Sequence, residues 1–296
     1  MDNLRVNTLL IGAGRSGTTS LHALLEQHPE VCFSYLKEVH YFSIEELFDR
    51  GEKYYHGFLN HFKGEKVIAS ADTYLFPAKE AIRRIRDYNP DMKLLVMLRD
   101  PVRRAWSSYH YSVNYGHHEA YDSFLESMEK EKDIEAENRI DKLNNLGHFY
   151  CGLYFRHLNM WLKSFPRDQV LIMETRRMKE DPGSFRQELY NFLGIKSEEL
   201  EITRQNAAAV PRNRKLEKFL LDRNQGGRKL IRAVSPRFLR DWVMRSGIVD
   251  RLHSANRRQQ ETPVLPEEVY REAMCYFEED LKFLKKSYGC DPTGPV

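Results

Sequence analysis

Apolar residues follow two alternating patterns along the first two thirds of the chain: short continuous runs, and residues spaced three or four apart. The continuous runs predict buried strands, at residues 9–11, Val31–Phe33, Lys93–Leu98 and 170–173. The helical spacing predicts amphipathic helices, around residues 21–25, at 77–88, after 99–101, at 153–162, from 181 to a stop at Gly194, and as one long helix at about 267–288. This alternation predicts an α/β fold with a central parallel sheet flanked by helices, in which ligands bind at the carboxyl ends of the strands.

The composition is that of an ordinary globular protein, with 41% hydrophobic, 12% aromatic and 30% charged residues among 296. No repeat or low-complexity linker divides the chain, so we expect a single domain over residues 1–296. No apolar run reaches the roughly 18 to 20 residues of a membrane span, and no apolar signal region precedes the first strand. The four cysteines form no CxxC pair, which predicts neither a zinc site nor disulfides. We therefore expect a cytoplasmic protein with no membrane partner.

Positive charge is concentrated in a basic, mainly helical segment at residues 206–262. Its first 55 residues, 206–260, hold 14 Lys and Arg against 4 Asp and Glu, whereas the whole chain has a net charge of only +3. Such a segment can attract polyanions, although a solvated helical face has the same composition. On its own, the segment leaves both interpretations open.

A glycine-rich loop at residues 12–19, called the phosphate loop below, follows the first strand and begins a helix. Backbone N–H groups at such a junction bind anions. Gly12, Gly14 and Gly17 fit the GxGxxG dinucleotide pattern, but neither Glu30 nor Glu38 stands where a ribose-binding acid is needed. A nucleotide-hydrolase loop needs a lysine where Thr18 stands. A third interpretation makes Arg15 the cation that binds a phosphate, helped by the hydroxyls of Thr18 and Thr19.

A second candidate anion site follows the most apolar strand. Arg99 stands at the strand's carboxyl end, Asp100 and Pro101 suit the start of a helix, and Ser107 lies two helical turns further on. A capped helix with a surface arginine has the same sequence pattern. Two anion sites side by side would suit a nucleotide that carries two separated phosphates.

Together these motifs resemble the sulfotransferases that use 3′-phosphoadenosine 5′-phosphosulfate (PAPS). The resemblance covers most of residues 8–195 and implies their P-loop-like sulfotransferase fold. It implies that the donor is bound by both motifs and by a later loop, namely by Gly14, Arg15, Ser16, Gly17, Thr18, Thr19, Arg99, Ser107, Arg212 and Arg214. Residues 37–42 are similar to the segment that supplies the catalytic carboxylate in heparan-sulfate-type enzymes. In two departures, Arg15 stands where those enzymes usually have lysine, and Ser70 stands where they carry a second lysine.

The resemblance implies in-line transfer of a sulfuryl group from PAPS to a hydroxyl or amine of a carbohydrate or small metabolite. Arg15 would stabilise the leaving phosphate. Glu38 or His40 would take up the acceptor's proton, and unperturbed pKa values of about 4.3 and 6.5 by themselves favour histidine. The resemblance favours Glu38 as the base, with His40 positioning the substrate or the proton. No metal is expected, because the donor has no β- and γ-phosphates to bridge, and no nucleic acid partner is expected. Two alternatives stay open at this stage: an NAD(P)-dependent oxidoreductase and a non-catalytic polyanion-binding protein.

Overall fold

Five parallel strands form the central sheet of the computed structural model, which describes residues 4–115, 123–131, 147–202, 209–211, 257–259 and 262–293. The strands are β1 (Thr8–Gly12), β2 (Val31–Phe33), β3 (Val67–Ala71), β4 (Lys93–Leu98) and β5 (Val170–Glu174). They lie in the order β2-β3-β1-β4-β5, with Leu9 of β1 opposite Ser70 of β3 and Leu94 of β4. The prediction of an α/β fold with a parallel sheet is confirmed. β3 was not among the predicted strands.

Helices connect the strands and cover the sheet. They are α1 (Thr18–Glu26), α2 (Glu45–Phe48), α3 (Glu52–His56), α4 (Lys79–Tyr88), α5 (Pro101–Tyr115), α6 (Phe124–Lys130), α7 (Tyr154–Leu162), α8 (Thr175–Glu180), α9 (Pro182–Leu193), α10 (Glu267–Met274) and α11 (Glu278–Tyr288). Sequence signals at helix ends agree with the structure: Asp100 Oδ1 accepts the Arg103 amide at 2.8 Å, and Gly194 ends α9 in the left-handed conformation. No helix in the described ranges has both the length and the apolar character that crossing a membrane requires.

The single long helix predicted at 267–288 is wrong, since α10 and α11 are separate. The break lies at Phe277, whose fully buried ring packs against Phe149 at 5.5 Å between centroids. The ring also lies over Gly152, where an added Cβ would come within 2.6 Å of Phe277 Cε1. Burial of this aromatic ring stabilises the chain in the broken conformation.

The core forms two layers because side chains alternate between the faces of the sheet. On one face, Leu9, Ile11, Leu94 and Val96 pack against residues of α4 and α7. On the other face, Leu10, Leu95 and Met97 pack against residues of α1 and α9. A third cluster joins α5, α6 and α10. Helices on both faces thus leave the ends of the strands open for a site.

Two short antiparallel strands, β6 (Ala209–Pro211) and β7 (Arg257–Gln259), lie within the basic segment, with Val210 opposite Arg258. The remainder of the predicted mainly helical segment lies almost entirely outside the described residues, as do Arg212 and Arg214. Its helical character and its role stay predictions, and so does the expectation of a single domain.

A buried polar cluster connects α5 with Glu131, at the end of α6, and with His148. Glu131 and His148 are almost completely buried, and Arg104 of α5 donates to the His148 carbonyl oxygen. Glu131 Oε2 accepts the Phe149 amide at 2.5 Å. Burial nevertheless dominates and raises the pKa of Glu131 from 4.5 to about 8.

We expect the free energy of unfolding to fall as the pH rises from about 4.5 to about 8, because folded Glu131 keeps a proton that the unfolded chain has released. In Glu131→Gln this contribution is absent. Urea denaturation at pH 5 and pH 8 should show the free energy of unfolding of the variant growing relative to that of the wild type, by a few kcal/mol, as the pH rises. The exposed control Glu45→Gln should show no such growth. Equal pH dependence in Glu131→Gln and wild type would contradict the expectation.

Candidate active site

The candidate site lies at the carboxyl ends of β1, β3 and β4. β1 has β3 on one side and β4 on the other, so the segments that follow these three strands meet at one edge of the sheet. Crevices of this kind, where the strand order changes direction, are where open α/β sheets bind ligands. The phosphate loop follows β1, Asp72 follows β3, and Arg99 follows β4.

The phosphate loop needs glycine at two positions, 12 and 17, for steric reasons. Gly12 has φ +153°, and an added Cβ would lie 2.6 Å from Phe76 Cβ. Gly17 has φ +84°, and an added Cβ would lie 3.2 Å from Thr175 Cγ2. The Thr175 hydroxyl also donates to the Ser16 carbonyl oxygen at 2.6 Å, which ties the loop to the beginning of α8. The loop backbone is therefore held firmly at the start of α1, where the first helical amides have no acceptor within the helix.

The second predicted anion motif meets this loop. Arg15 Nε donates to Ser107 Oγ at 3.2 Å, and the Arg15 guanidinium lies 4.8 Å from the centre of the Tyr111 ring. Arg99 Nη1 donates to the Arg15 carbonyl oxygen at 3.3 Å. Burial lowers the pKa of Arg99, opposed by nearby Tyr154. Two guanidinium groups and a hydroxyl thus converge beside the phosphate loop, which suits an anionic ligand.

On the other side of β1, the segment after β2 carries two residues in the left-handed conformation, Glu38 with φ 61° and His40 with φ 59°. The Glu38 amide donates to the Ala71 carbonyl oxygen at 2.9 Å, which fixes this segment along the end of β3. Glu38 Oε2 accepts the Thr73 amide at 2.7 Å, and Oε1 accepts the Thr73 hydroxyl at 3.0 Å. The carboxylate is therefore oriented by Thr73, in the segment that follows β3.

His40 is held by Asp72, a residue that the sequence analysis did not single out. His40 Nδ1 lies 3.2 Å from Asp72 Oδ1, and its ring stacks on Tyr74 at 4.5 Å between centroids. Asp72 is buried, and its other oxygen accepts the Ser43 hydroxyl at 2.7 Å. A recognised β3 would have pointed to Asp72, because the first polar residue after a buried strand lies at the ligand-binding edge.

The two carboxyl groups have different electrostatic surroundings. Burial raises the pKa of Glu38, and the charge of Lys37 opposes this rise. Burial would also raise the pKa of Asp72. The hydrogen bond and charge of His40, together with hydrogen bonds from Ser43 and the Tyr74 amide, outweigh burial and lower that pKa overall. Glu38 is therefore the carboxylate better suited to accept a proton, and Asp72 is the one that stays ionised.

Glu38, His40 and Asp72 also offer ligand atoms within 4.8 Å of one another, close enough to hold a metal ion. Each carboxylate oxygen already accepts a hydrogen bond from a described residue. The Lys37 ammonium lies 3.4 Å from Glu38 Oε1, which disfavours a second cation there. The expectation that no metal is needed stays a prediction.

The structure thus brings together Arg15, Arg99 and Ser107 at the phosphate loop, and Glu38 and His40 at the end of β3. Their roles stay predictions. Asp72 and Lys37 were not predicted as site residues from the sequence. The predicted donor-binding residues Arg212 and Arg214 lie outside the described residues.

The known proteins that this chain is similar to are sulfotransferases. A family model described as "Sulfotransferase domain" matches residues 6–220. Heparan sulfate glucosamine 3-O-sulfotransferase 6 of Mus musculus is 28% identical over 195 residues, covering 64% of this chain and 52% of the relative. Heparan sulfate glucosamine 3-O-sulfotransferase 3B1 of Homo sapiens is 28% identical over 196 residues, covering 64% and 46%. The chain spans about half the length of these relatives.

A solved structure extends the similarity to nearly the whole chain. A sulfotransferase from Alicyclobacillus acidocaldarius superimposes with a TM-score of 0.67 at 22% identity, covering 97% of each chain. At this identity the likeness concerns the fold, and it agrees with the fold that the motif resemblance implied.

Proposed function

Since the chain belongs to the sulfotransferase domain family, we propose that it transfers the sulfuryl group of PAPS to a hydroxyl or amine of a carbohydrate acceptor. One observation carries the proposal: the hydrogen bond between Arg15 and Ser107 joins the phosphate loop to the Arg99–Ser107 motif. A donor with a 5′-phosphosulfate and a separate 3′-phosphate needs two adjoining anion sites. The carbohydrate acceptor is proposed from the heparan sulfate relatives.

In the proposed reaction, the acceptor oxygen or nitrogen attacks the sulfur while the bond from sulfur to the 5′-phosphate oxygen breaks. Glu38 accepts the acceptor's proton, and 3′,5′-bisphosphoadenosine (PAP) leaves with the electron pair of the broken bond. Arg15 and the loop amides stabilise the charge that develops on the leaving phosphate. Asp72 acts as a positioning residue, since its buried carboxylate orients the His40 ring next to Glu38.

Thermal shift of the purified protein with PAP, with ATP plus magnesium, and with NAD tests the donor assignment. PAP alone is expected to stabilise the protein, by about 2.7 kcal/mol at one hundred times its dissociation constant. If NAD stabilised the protein and PAP did not, the oxidoreductase alternative would instead be supported. Polyanion binding with steep salt dependence and no nucleotide preference would support the non-catalytic alternative. Family membership favours sulfuryl transfer over both.

We expect Arg99→Ala to weaken PAP binding by about 10- to 100-fold, because a charge-assisted hydrogen bond contributes about 1.5–3 kcal/mol. Ser107→Ala should weaken it by a smaller factor, since its hydroxyl is neutral. Titration of PAP by calorimetry measures both. Arg83→Ala is the matched control, because that side chain is 82% exposed on α4. Equal PAP affinity in Arg99→Ala and the control would remove Arg99 from the donor site.

A further inference from the structure

Lys37 lies between the two halves of the candidate site. Its Nζ donates to Thr19 Oγ1, at the beginning of α1, at 3.0 Å. The same Nζ lies 3.4 Å from Glu38 Oε1. The side chain is only 25% exposed, so the ammonium is partly desolvated and its interactions are stronger than on an open surface. One cation therefore connects the phosphate loop with the proposed base.

The turn that presents Lys37 is held by neutral residues. Ser34 Oγ donates to the Leu36 carbonyl oxygen at 2.9 Å and lies 3.2 Å from Ser70 Oγ. Ser34 and Ser70 are both buried, with 0% and 2% exposure. Ser70, which stands where the resemblance would place a second lysine, thus supports this turn and brings no charge to the site.

We propose that Lys37 is a catalytic residue whose ammonium contacts the sulfuryl group as it passes from the phosphate loop to the acceptor atom; this rests on the proposed function. The leaving phosphate is proposed to bind at the start of α1, where Thr19 lies, and the acceptor's proton goes to Glu38. An in-line transfer moves the sulfuryl group from the leaving phosphate to the acceptor atom beside Glu38. Lys37 Nζ contacts Thr19 at the first of these positions and Glu38 at the second.

Lys37 also acts on the base itself. The charges of Lys37 and His40 and the Thr73 amide lower the pKa of Glu38, whereas the charge of Asp72 raises it. The Tyr74 phenol also interacts with Glu38: burial raises the pKa of Tyr74, and the charge of Glu38 raises it further. Among the groups that act on Glu38, the Lys37 charge is the largest opponent of burial. Removing it should raise the pKa of Glu38, so that a smaller fraction of the enzyme carries an ionised base near neutral pH.

The test compares Lys37→Met with Lys53→Met, a change to an exposed lysine on α3. PAP release from PAPS is measured with heparan sulfate as acceptor. We expect Lys37→Met to lower kcat by about 10²- to 10³-fold, the usual effect of losing one donor that stabilises transition-state charge. Stabilisation by PAP should change little, and the acidic limb of the pH profile of kcat/KM should move to higher pH. Lys37→Arg should recover part of kcat, because it restores the charge.

Other results would overturn the assignment. A kcat for Lys37→Met within threefold of the Lys53→Met value would show that the ammonium does not act on the reacting group. A loss of PAP binding as large as the loss of kcat would make Lys37 a donor-binding residue instead. Absence of both PAP binding and PAP release in the wild type would contradict the proposed function itself, and the Lys37 assignment with it.

Discussion

Glu38→Gln is expected to lower kcat by about 10²- to 10⁴-fold, the range by which a positioned general base accelerates a reaction. Glutamine has nearly the same shape and keeps an oxygen that can accept from Thr73, but it cannot take up a proton. Stabilisation by PAP should therefore stay as in the wild type. Initial rates of PAP release with heparan sulfate as acceptor, together with thermal shift, measure the two effects separately.

The control is Glu46→Gln, an exposed glutamate on α2 that the proposed mechanism does not use. A Glu38→Gln kcat within tenfold of this control would contradict the assignment of Glu38 as base. A much larger loss in His40→Gln than in Glu38→Gln would transfer that role to His40.

Trp161→Ala is expected to lower the free energy of unfolding by about 3–5 kcal/mol, as usual for removal of a buried aromatic side chain. The Trp161 side chain is fully buried in the cluster between the sheet, α4 and α7. Its Nε1 also donates to the Phe76 carbonyl oxygen at 3.0 Å, and Phe76 is the residue packed against Gly12. The variant should therefore loosen the phosphate loop as well, and PAP should bind more weakly.

Urea denaturation measures the first effect and calorimetry the second. Trp161→Phe is the matched control: it keeps most of the apolar volume and should cost clearly less than Trp161→Ala. A loss below about 1 kcal/mol in Trp161→Ala would mean that the core repacks around the missing ring.

The sheet could be predicted where strands are uniformly apolar, and β4, buried from Leu94 to Leu98, is the best case. β3 was not recognised because Ser70 interrupts its apolar run and its two alanines have low strand propensity, although all five of its residues are buried. The division between α10 and α11 depends on Phe277 filling the space above Gly152, a contact between distant parts of the chain. Local patterns contain no information of that kind.

The candidate site, too, could be predicted from the sequence only in part. The phosphate loop and the pair of Arg99 and Ser107 could be identified because their spacing along the chain reflects their chemistry. Asp72 and Lys37 could not, since their importance comes from what they contact. Asp72, which follows β3, contacts His40 in the segment after β2, and Lys37 contacts Thr19 at the beginning of α1. The cytoplasmic location expected from the sequence stays a prediction.

The strand order also bears on how enzymes of this architecture could diversify. Within the described part of the chain, the proposed donor residues follow β1 and β4, whereas Glu38, His40 and Asp72 follow β2 and β3, on the other side of β1. Mutations in the segments after β2 and β3 that spare Lys37, Glu38, His40 and Asp72 would alter the surroundings of the proposed acceptor while leaving the residues proposed to bind the donor unchanged. A lineage could therefore acquire new acceptors while inheriting one unchanged chemistry, with Lys37 and Thr19 as the contact that both halves must preserve.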